Sequence, residues 1–316
     1  MGIQQGNLHT KGSRFPITKT IKLFSAGILL TLLTACSATS HRPEMADSMR
    51  LETNPDFVLQ QTSLRTEVQS DAGAMLLALS PAMRELVAGV DPDLAPNPRF
   101  RKLLRTLKLD DFEMEYDLGN TTSAAEAFES RRGNCISFSA MIVALAREVG
   151  LDAHFNYVEA PRSRSYTGNG GNSVVREVLH INAEVSYGWY SQVIDFNFDP
   201  KPPFPHRKIS DAHTTVLYLN NLAVEAARNN EVTSGLGYLQ EALELEPDST
   251  ILWTSLGYLH RLDGRLDLAG MSYSQALNLD WENTHARRNL NVLYQLSDRS
   301  ALTSLDQDTE NTDQET

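Results

Sequence analysis

A chain of 316 residues, 41% of them hydrophobic, has room for two modest domains and enough apolar content to fill their cores. The net charge of −12 excludes nucleic acid and anionic membrane surfaces as partners held by charge, because like charges repel. There are two cysteines, Cys36 and Cys135, and the eight histidines are scattered with none at a ligand spacing to Cys135, so no metal or cofactor is expected.

The chain opens with a positive region (Lys11, Arg14, Lys19, Lys22) and a short apolar run, Leu23 to Leu33, that ends in Leu33-Thr34-Ala35-Cys36. That run is too short for a permanent membrane span. The whole element resembles the signal peptide of bacterial lipoproteins. The resemblance implies that residues 1–36 are a lipoprotein signal peptide and that Cys36 is lipidated, with acyl chains such as palmitate, and becomes the mature N-terminus. Ser37 after the cysteine implies the outer membrane, so the expected location is the bacterial cell envelope, lipid-anchored and facing the periplasm. Residues 37–54 are polar without apolar periodicity and read as a flexible tether. If Cys36 carries lipid, Cys135 is the sole thiol of the mature chain, and an exported protein keeps such a thiol either buried or in use.

Helical patterns follow. Ser80-Pro81 opens a helix through Val87, and Asn97-Pro98 opens another carrying Phe100, Leu103, Leu104 and Leu107. Phe112 to Tyr116 alternates like a short strand or extended segment, and Thr122 or Ser123 caps a short helix, Ala124 to Ser130. A polar turn, Arg131-Arg132-Gly133-Asn134, then delivers Cys135 onto the start of a helix that is apolar on nearly every face until Arg147, with Gly150 as its stop. Unpaired amides at such a start favour thiolate over thiol. Beyond it the period changes to two. Strands are expected at Ala153 to Val158, Val178 to Ser186 and Tyr190 to Phe196, with a long excursion, Pro161 to Asn172, between the first two that reads as mobile or as a lid. In the second strand Leu179, Ile181, Ala183 and Val185 share one face and His180, Asn182 and Glu184 the other. Helices followed by an antiparallel sheet make this part α+β.

Pro200 to Pro205 reads as a connector, and Ser210-Asp211 caps the next helix. From Val216 a 34-residue period sets in: Leu222 returns as Leu256 and Leu290, Leu239 as Tyr273, Ala242-Leu243 as Ala276-Leu277. Together with Trp253, Gly257 and Ala269, this pattern resembles the tetratricopeptide repeat, departing from it at His260, where tyrosine is usual, and at Trp281, where proline is usual. It implies an all-α helical array over 210–296, its third copy ending after one helix, that binds a protein partner, with Tyr258 and Arg261 on the binding face. Too few units for a free solenoid, the array is expected to dock on the preceding domain. The acidic stretch 297–316 is expected to be disordered.

Cys135 at a helix start, His180 on one strand and Asp195 on the next supply a thiol, a base for its proton and a carboxylate to hold the base. The run Phe128 to Leu151, then His180 to Val185, then Trp189 and Val193-Ile194-Asp195, resembles the transglutaminase-like core of the papain-like cysteine enzymes. The resemblance implies a central helix packed on an antiparallel sheet within a domain at 55–205 (core 122–200), with Cys135 as nucleophile, His180 as general base and acid, and Asp195 as its orienting residue. Asn182 stands where many members carry tryptophan, and Asp199 is a second possible orienter. The Cys135 amide is the expected oxyanion donor, with no second donor named by the sequence. The expected activity is attack on a peptide or isopeptide amide through an acyl-thioester, with hydrolysis favoured over transamidation. The expected partners are a protein or peptide substrate, a protein on the repeats, and the membrane through the lipid. The alternative is an inactive scaffold or adaptor lipoprotein.

Overall fold

The computed structural model describes residues 53–66, 71–109, 113–167, 174–196 and 204–295. The expected leader with Cys36, nearly all of the tether, Asp199 and the acidic tail lie outside the described residues. Among the described residues no helix is long and apolar enough to cross a membrane.

The early helices begin where a polar side chain takes up an unpaired amide. Asn54 Oδ1 accepts from the Phe57 amide (3.0 Å) to open α1 (Pro55–Ser63). After the single turn α2 (Ala72–Met75), Ser80 Oγ accepts from the Met83 amide (3.3 Å) to open α3 (Pro81–Val87). The next helix, α4 (Pro96–Leu109), starts at Pro96 and not after Asn97 as expected. Both prolines lack the amide that a first turn leaves unpaired, and the Arg99 guanidinium holds the Leu94 carbonyl (Nε 3.1 Å), which fixes the earlier start. Ser123 then opens α5 (Ala124–Ser130) with a reciprocal cap, Glu126 bonding back to the Ser123 amide at 2.8 Å.

The centre is α6 (Cys135–Glu148), buried at every residue from Cys135 to Ala146. It packs on a four-stranded antiparallel sheet of order β5-β4-β3-β6, made of β3 (Asp152–Thr167), β4 (Val174–Tyr187), β5 (Tyr190–Ile194) and β6 (His206–Ile209). The apolar parity of β3 and β4 (Ala153, Phe155, Ile181, Ala183, Val185) joins α6 in one core. On the opposite parity Asn156 donates to Glu184 (3.0 Å).

Two expectations change here. Part of the excursion is strand: after a register shift between Val158 and Ser163, pairing resumes from Ser163↔Val178 to Thr167↔Val174, while residues 168–172 lie outside the described residues. The β-branched run at Val174, Val175 and Val178 favours extended backbone. The connector before Ser210 holds a strand, β6, paired from Phe155↔Ile209 to Val158↔His206. Four residues behind a proline cluster carry too little alternation to announce themselves.

The C-terminal region is helical: α7 (Asp211–Arg228), α8 (Val232–Leu245), α9 (Thr250–Leu262), α10 (Leu266–Leu279) and α11 (284–295). The period is visible in the helix starts, 232 and 266 and again 250 and 284, each pair 34 residues apart. Where Gly257 meets Tyr273, an added Cβ would stand 2.6 Å from the ring, so close helix contact depends on the glycine.

The N-terminal helix α1 lies on this region, against α8 and α10. It buries only Val58 and Thr62, and polar ties do much of the holding. Arg65 makes a bidentate pair with Asp263 (3.1 and 2.7 Å), Arg265 bonds the Gln61 carbonyl and side chain (3.1 and 2.9 Å), and Asn278 donates to Thr53 (3.0 Å). Thr62 gives its hydroxyl proton to the Val58 carbonyl (2.7 Å), so it accepts from His260 Nε2 at 3.1 Å. Tyr258 and Arg261, expected to face a partner, are buried at 3% and 5% exposure, the guanidinium lying 5.7 Å from the Tyr258 ring centre.

Burial, followed by the charge of Arg265, pulls His260 down to about 4, with Asp263 and Asp267 opposing. Its ring takes a proton near 6.5 when unfolded and near 4 when folded, so between these values the unfolded chain binds more protons. Stability therefore falls as pH drops through that window, by up to about 3 kcal/mol, and levels off below it. His260→Gln keeps a donor for Thr62 and removes this slope; urea midpoints of both proteins at neutral and mildly acid pH measure the difference.

Candidate active site

The turn before Cys135 is held by a parallel pair of very short strands, β1 (Glu115–Tyr116) and β2 (Arg132–Gly133), in the register Glu115↔Arg132 and Tyr116↔Gly133. The pairing begins where α5 ends in a left-handed residue, Arg131 (φ 59°), whose guanidinium covers the Phe128 ring at 5.3 Å. Arg132 reaches across to Glu115 and Asp117, both at 3.3 Å. Gly133 is required by close approach, since a Cβ there would stand 2.7 Å from Cβ of Ser137.

Because α6 is buried at its start, its unpaired amides need partners inside the protein. Asn134 supplies them: its Oδ1 accepts from the amides of Ile136 (3.0 Å) and Ser137 (3.1 Å). Its own amide group donates to Thr121 (2.6 Å), whose hydroxyl and backbone N–H in turn bond Glu225 of α7 at 2.5 and 3.0 Å. A hydrogen-bond chain thus runs from the helical region to the cysteine turn.

The three residues picked from the sequence come together at the end of β5. Pairing of β5 with β4 stops at Ala183↔Ile194, and beyond it Ile181 turns to α6 while Asn182 and His180 turn to Asp195. Ser139 donates to the Ile181 carbonyl (3.4 Å), and Cys135 receives a backbone hydrogen bond from Ile181. Asp195, the first residue after β5, holds His180 Nε2 with both oxygens, at 2.8 and 3.0 Å. This fixes the ring's tautomer and leaves Nδ1 for the thiol, which is hydrogen-bonded to His180. Asn182 donates to Asp195 Oδ2 at 3.4 Å, so the residue standing in place of tryptophan supports the carboxylate.

The electrostatics favour an ion pair. Burial pushes the Cys135 thiol up, but the hydrogen bond and charge of His180, the Ile181 backbone and the Tyr116 hydroxyl together bring it below its ordinary value. Burial pushes His180 down, but hydrogen bonds to Asp195 and Cys135 and the charges of both raise it to about 10. Exposure increases along the row: Cys135 is 4% exposed, the His180 side chain 15% and the Asp195 side chain 37%. The imidazole and the carboxylate thus stand between the buried sulfur and solvent on that side of the row.

Tyr116 is the residue that sequence reasoning missed. It donates to the Cys135 sulfur and receives the Cys135 backbone N–H. Burial, then the Cys135 charge, raises its phenol well above the ordinary value, so it stays protonated. Its only sequence signal is the alternation of Phe112 to Tyr116; the cross-strand register that carries it to Cys135 leaves no trace in composition.

Residues 84–192 match the family model of the transglutaminase-like superfamily, a segment that includes Tyr116, Cys135 and His180 and ends just before Asp195. No curated protein and no solved structure matches the chain.

Two outcomes follow from this geometry. Thiolate is present above the lowered Cys135 value, so iodoacetamide should alkylate Cys135 from a lower pH than it does an ordinary thiol, while His180→Ala leaves burial unopposed by the imidazolium, moves that onset upward and slows the reaction at a given pH by about a hundredfold. Glu225→Ala strands the Thr121 amide and should cost about 1–3 kcal/mol in urea unfolding, with slower alkylation of the folded protein.

Proposed function

We propose that this chain is a lipid-anchored, periplasm-facing cysteine enzyme that cleaves peptide or isopeptide amide bonds through Cys135, His180 and Asp195. The observation that carries this reading is the bidentate hold of Asp195 on His180, with the thiol on the ring's other side. The match of residues 84–192 to the transglutaminase-like superfamily supports the same reaction class.

The steps use only these groups. The thiol proton rests on His180, and the Cys135 thiolate attacks the carbonyl carbon, forming a C–S bond while the carbonyl electron pair moves onto oxygen. Collapse of the tetrahedral adduct breaks the C–N bond, and the imidazolium gives its proton to the departing amine. Water, deprotonated by the now neutral His180, attacks the thioester and releases the acid and the thiolate. Thiolate and imidazolium coexist only between the lowered Cys135 value and about 10, which bounds the active pH range. Hydrolysis is favoured over amine transfer because water is abundant outside the cell and no group among the described residues marks an amine site.

The helical region reads as a tetratricopeptide array that serves the enzyme by holding a protein partner or presenting substrate. With α1 already laid on α8 and α10, and Tyr258 and Arg261 buried, that partner meets another face than the one first expected. The 4% exposure of Cys135 favours one rival, a scaffold lipoprotein without turnover.

Incubation with envelope extract followed by intact mass spectrometry separates the two. An acyl adduct at Cys135 that hydroxylamine removes, absent in Cys135→Ala and formed about 10²–10⁴-fold more slowly in His180→Ala, is the expected result. A Cys135 no more reactive than a denatured-state thiol, with full in-cell function in Cys135→Ser, would leave the scaffold.

A further inference from the structure

The cysteine site contains a hydroxyl that the thiol–imidazole–carboxylate row does not use. Tyr116 lies in β1, and its register partner Gly133 is two residues before Cys135. The two flanking hydrogen bonds, Glu115 N–H to the Arg131 carbonyl (2.8 Å) and Asp117 N–H to the Gly133 carbonyl (2.9 Å), clamp this strand to the turn on both sides of Tyr116. The ring is partly buried and packs against the core. Its oxygen meets Cys135 twice, as donor to the sulfur and as acceptor from the backbone N–H.

Those two contacts define a position. In acyl transfer the new oxyanion sits on the carbon joined to sulfur, within reach of the nucleophile's own amide when that amide opens a helix. A group that touches both the sulfur and the Cys135 amide is therefore beside the place where the oxyanion forms. We propose, resting on the enzymatic reading above, that Tyr116 is a catalytic residue whose hydroxyl is the second oxyanion donor, paired with the Cys135 amide.

In the resting site the hydroxyl proton points at the sulfur. When the C–S bond forms, the negative charge leaves sulfur for the carbonyl oxygen, and the hydroxyl proton turns from the one to the other. The Cys135 amide turns likewise, from the phenol oxygen to the oxyanion. No proton is transferred from Tyr116; it remains a donor throughout. The two-residue length of β1 fits this role, since pairing is confined to the residues that position the ring.

The test compares two probes on the full chain, wild type and Tyr116→Phe. Iodoacetamide reacts with the thiolate at a saturated carbon and forms no oxyanion; p-nitrophenyl acetate acylates the same sulfur through one. The expected result is that Tyr116→Phe, with unchanged circular dichroism and melting temperature, loses about 10²-fold in the acylation rate. Its alkylation rate, read on the pH plateau above the thiol's titration, stays within about twofold, and the midpoint of that titration moves upward because one donor to the thiolate is gone.

Equal acylation rates in the two proteins, or a faster rate in Tyr116→Phe because the phenol blocks the amide, would overturn the proposal. Parallel losses with both probes would also overturn it, reducing Tyr116 to a structural prop. If wild-type Cys135 itself reacts with neither probe faster than a denatured-state thiol, the enzymatic reading fails, a result distinct from the others.

Discussion

A helix buried on all sides carries its unpaired backbone amides into the protein interior, and much of this structure answers that one demand. Residues Cys135 to Ala146 offer α6 no solvent-facing edge. Its first turn is therefore satisfied by Asn134 in place of water, and Asn134 must itself be satisfied by Thr121. The same burial raises the cost of a charged sulfur, which is tolerable only because an imidazole, a backbone amide and a phenol are all directed at it. Burial, capping and thiol chemistry are thus one problem with one solution.

The strength of the pattern in the sequence followed the length and periodicity of each element. The apolar run of α6 and the alternation from Ile181 to Val185 were legible because each repeats a signal over several residues, and the start of α5 was legible to within one position, Thr122 or Ser123. So was the convergence of Cys135, His180 and Asp195, though only through residue type and order; the structure adds the distances. What stayed hidden was non-local. The alternation that announced β1 names no partner strand, β2 at two residues has no period, and β6 follows a proline cluster that reads as a linker. Tyr116 gains its place wholly from a register between segments that sequence treats as separate.

The helical region shows the reverse case, a departure from pattern that had a visible cause once contacts were known. His260 replaces the tyrosine usual in the resembled repeat, and its ring nitrogen meets Thr62 of α1. Arg265 and Asp263, at the same turn, also bind α1 or the residues just after it. The substitution is therefore matched to a segment some two hundred positions away (198 from Thr62 to His260), and the surface that a bare repeat would offer to a stranger is partly taken by the chain itself.

The chain from Glu225 through Thr121 to Asn134 has a bearing on engineering. Catalytic cores and helical arrays are commonly treated as beads that can be cut apart and restrung. Here a carboxylate in one bead finishes the wiring of the other, so a graft or excision at the 205–210 junction would sever it. Recombination that carries both ends together leaves the cap of the cysteine turn with its full set of partners.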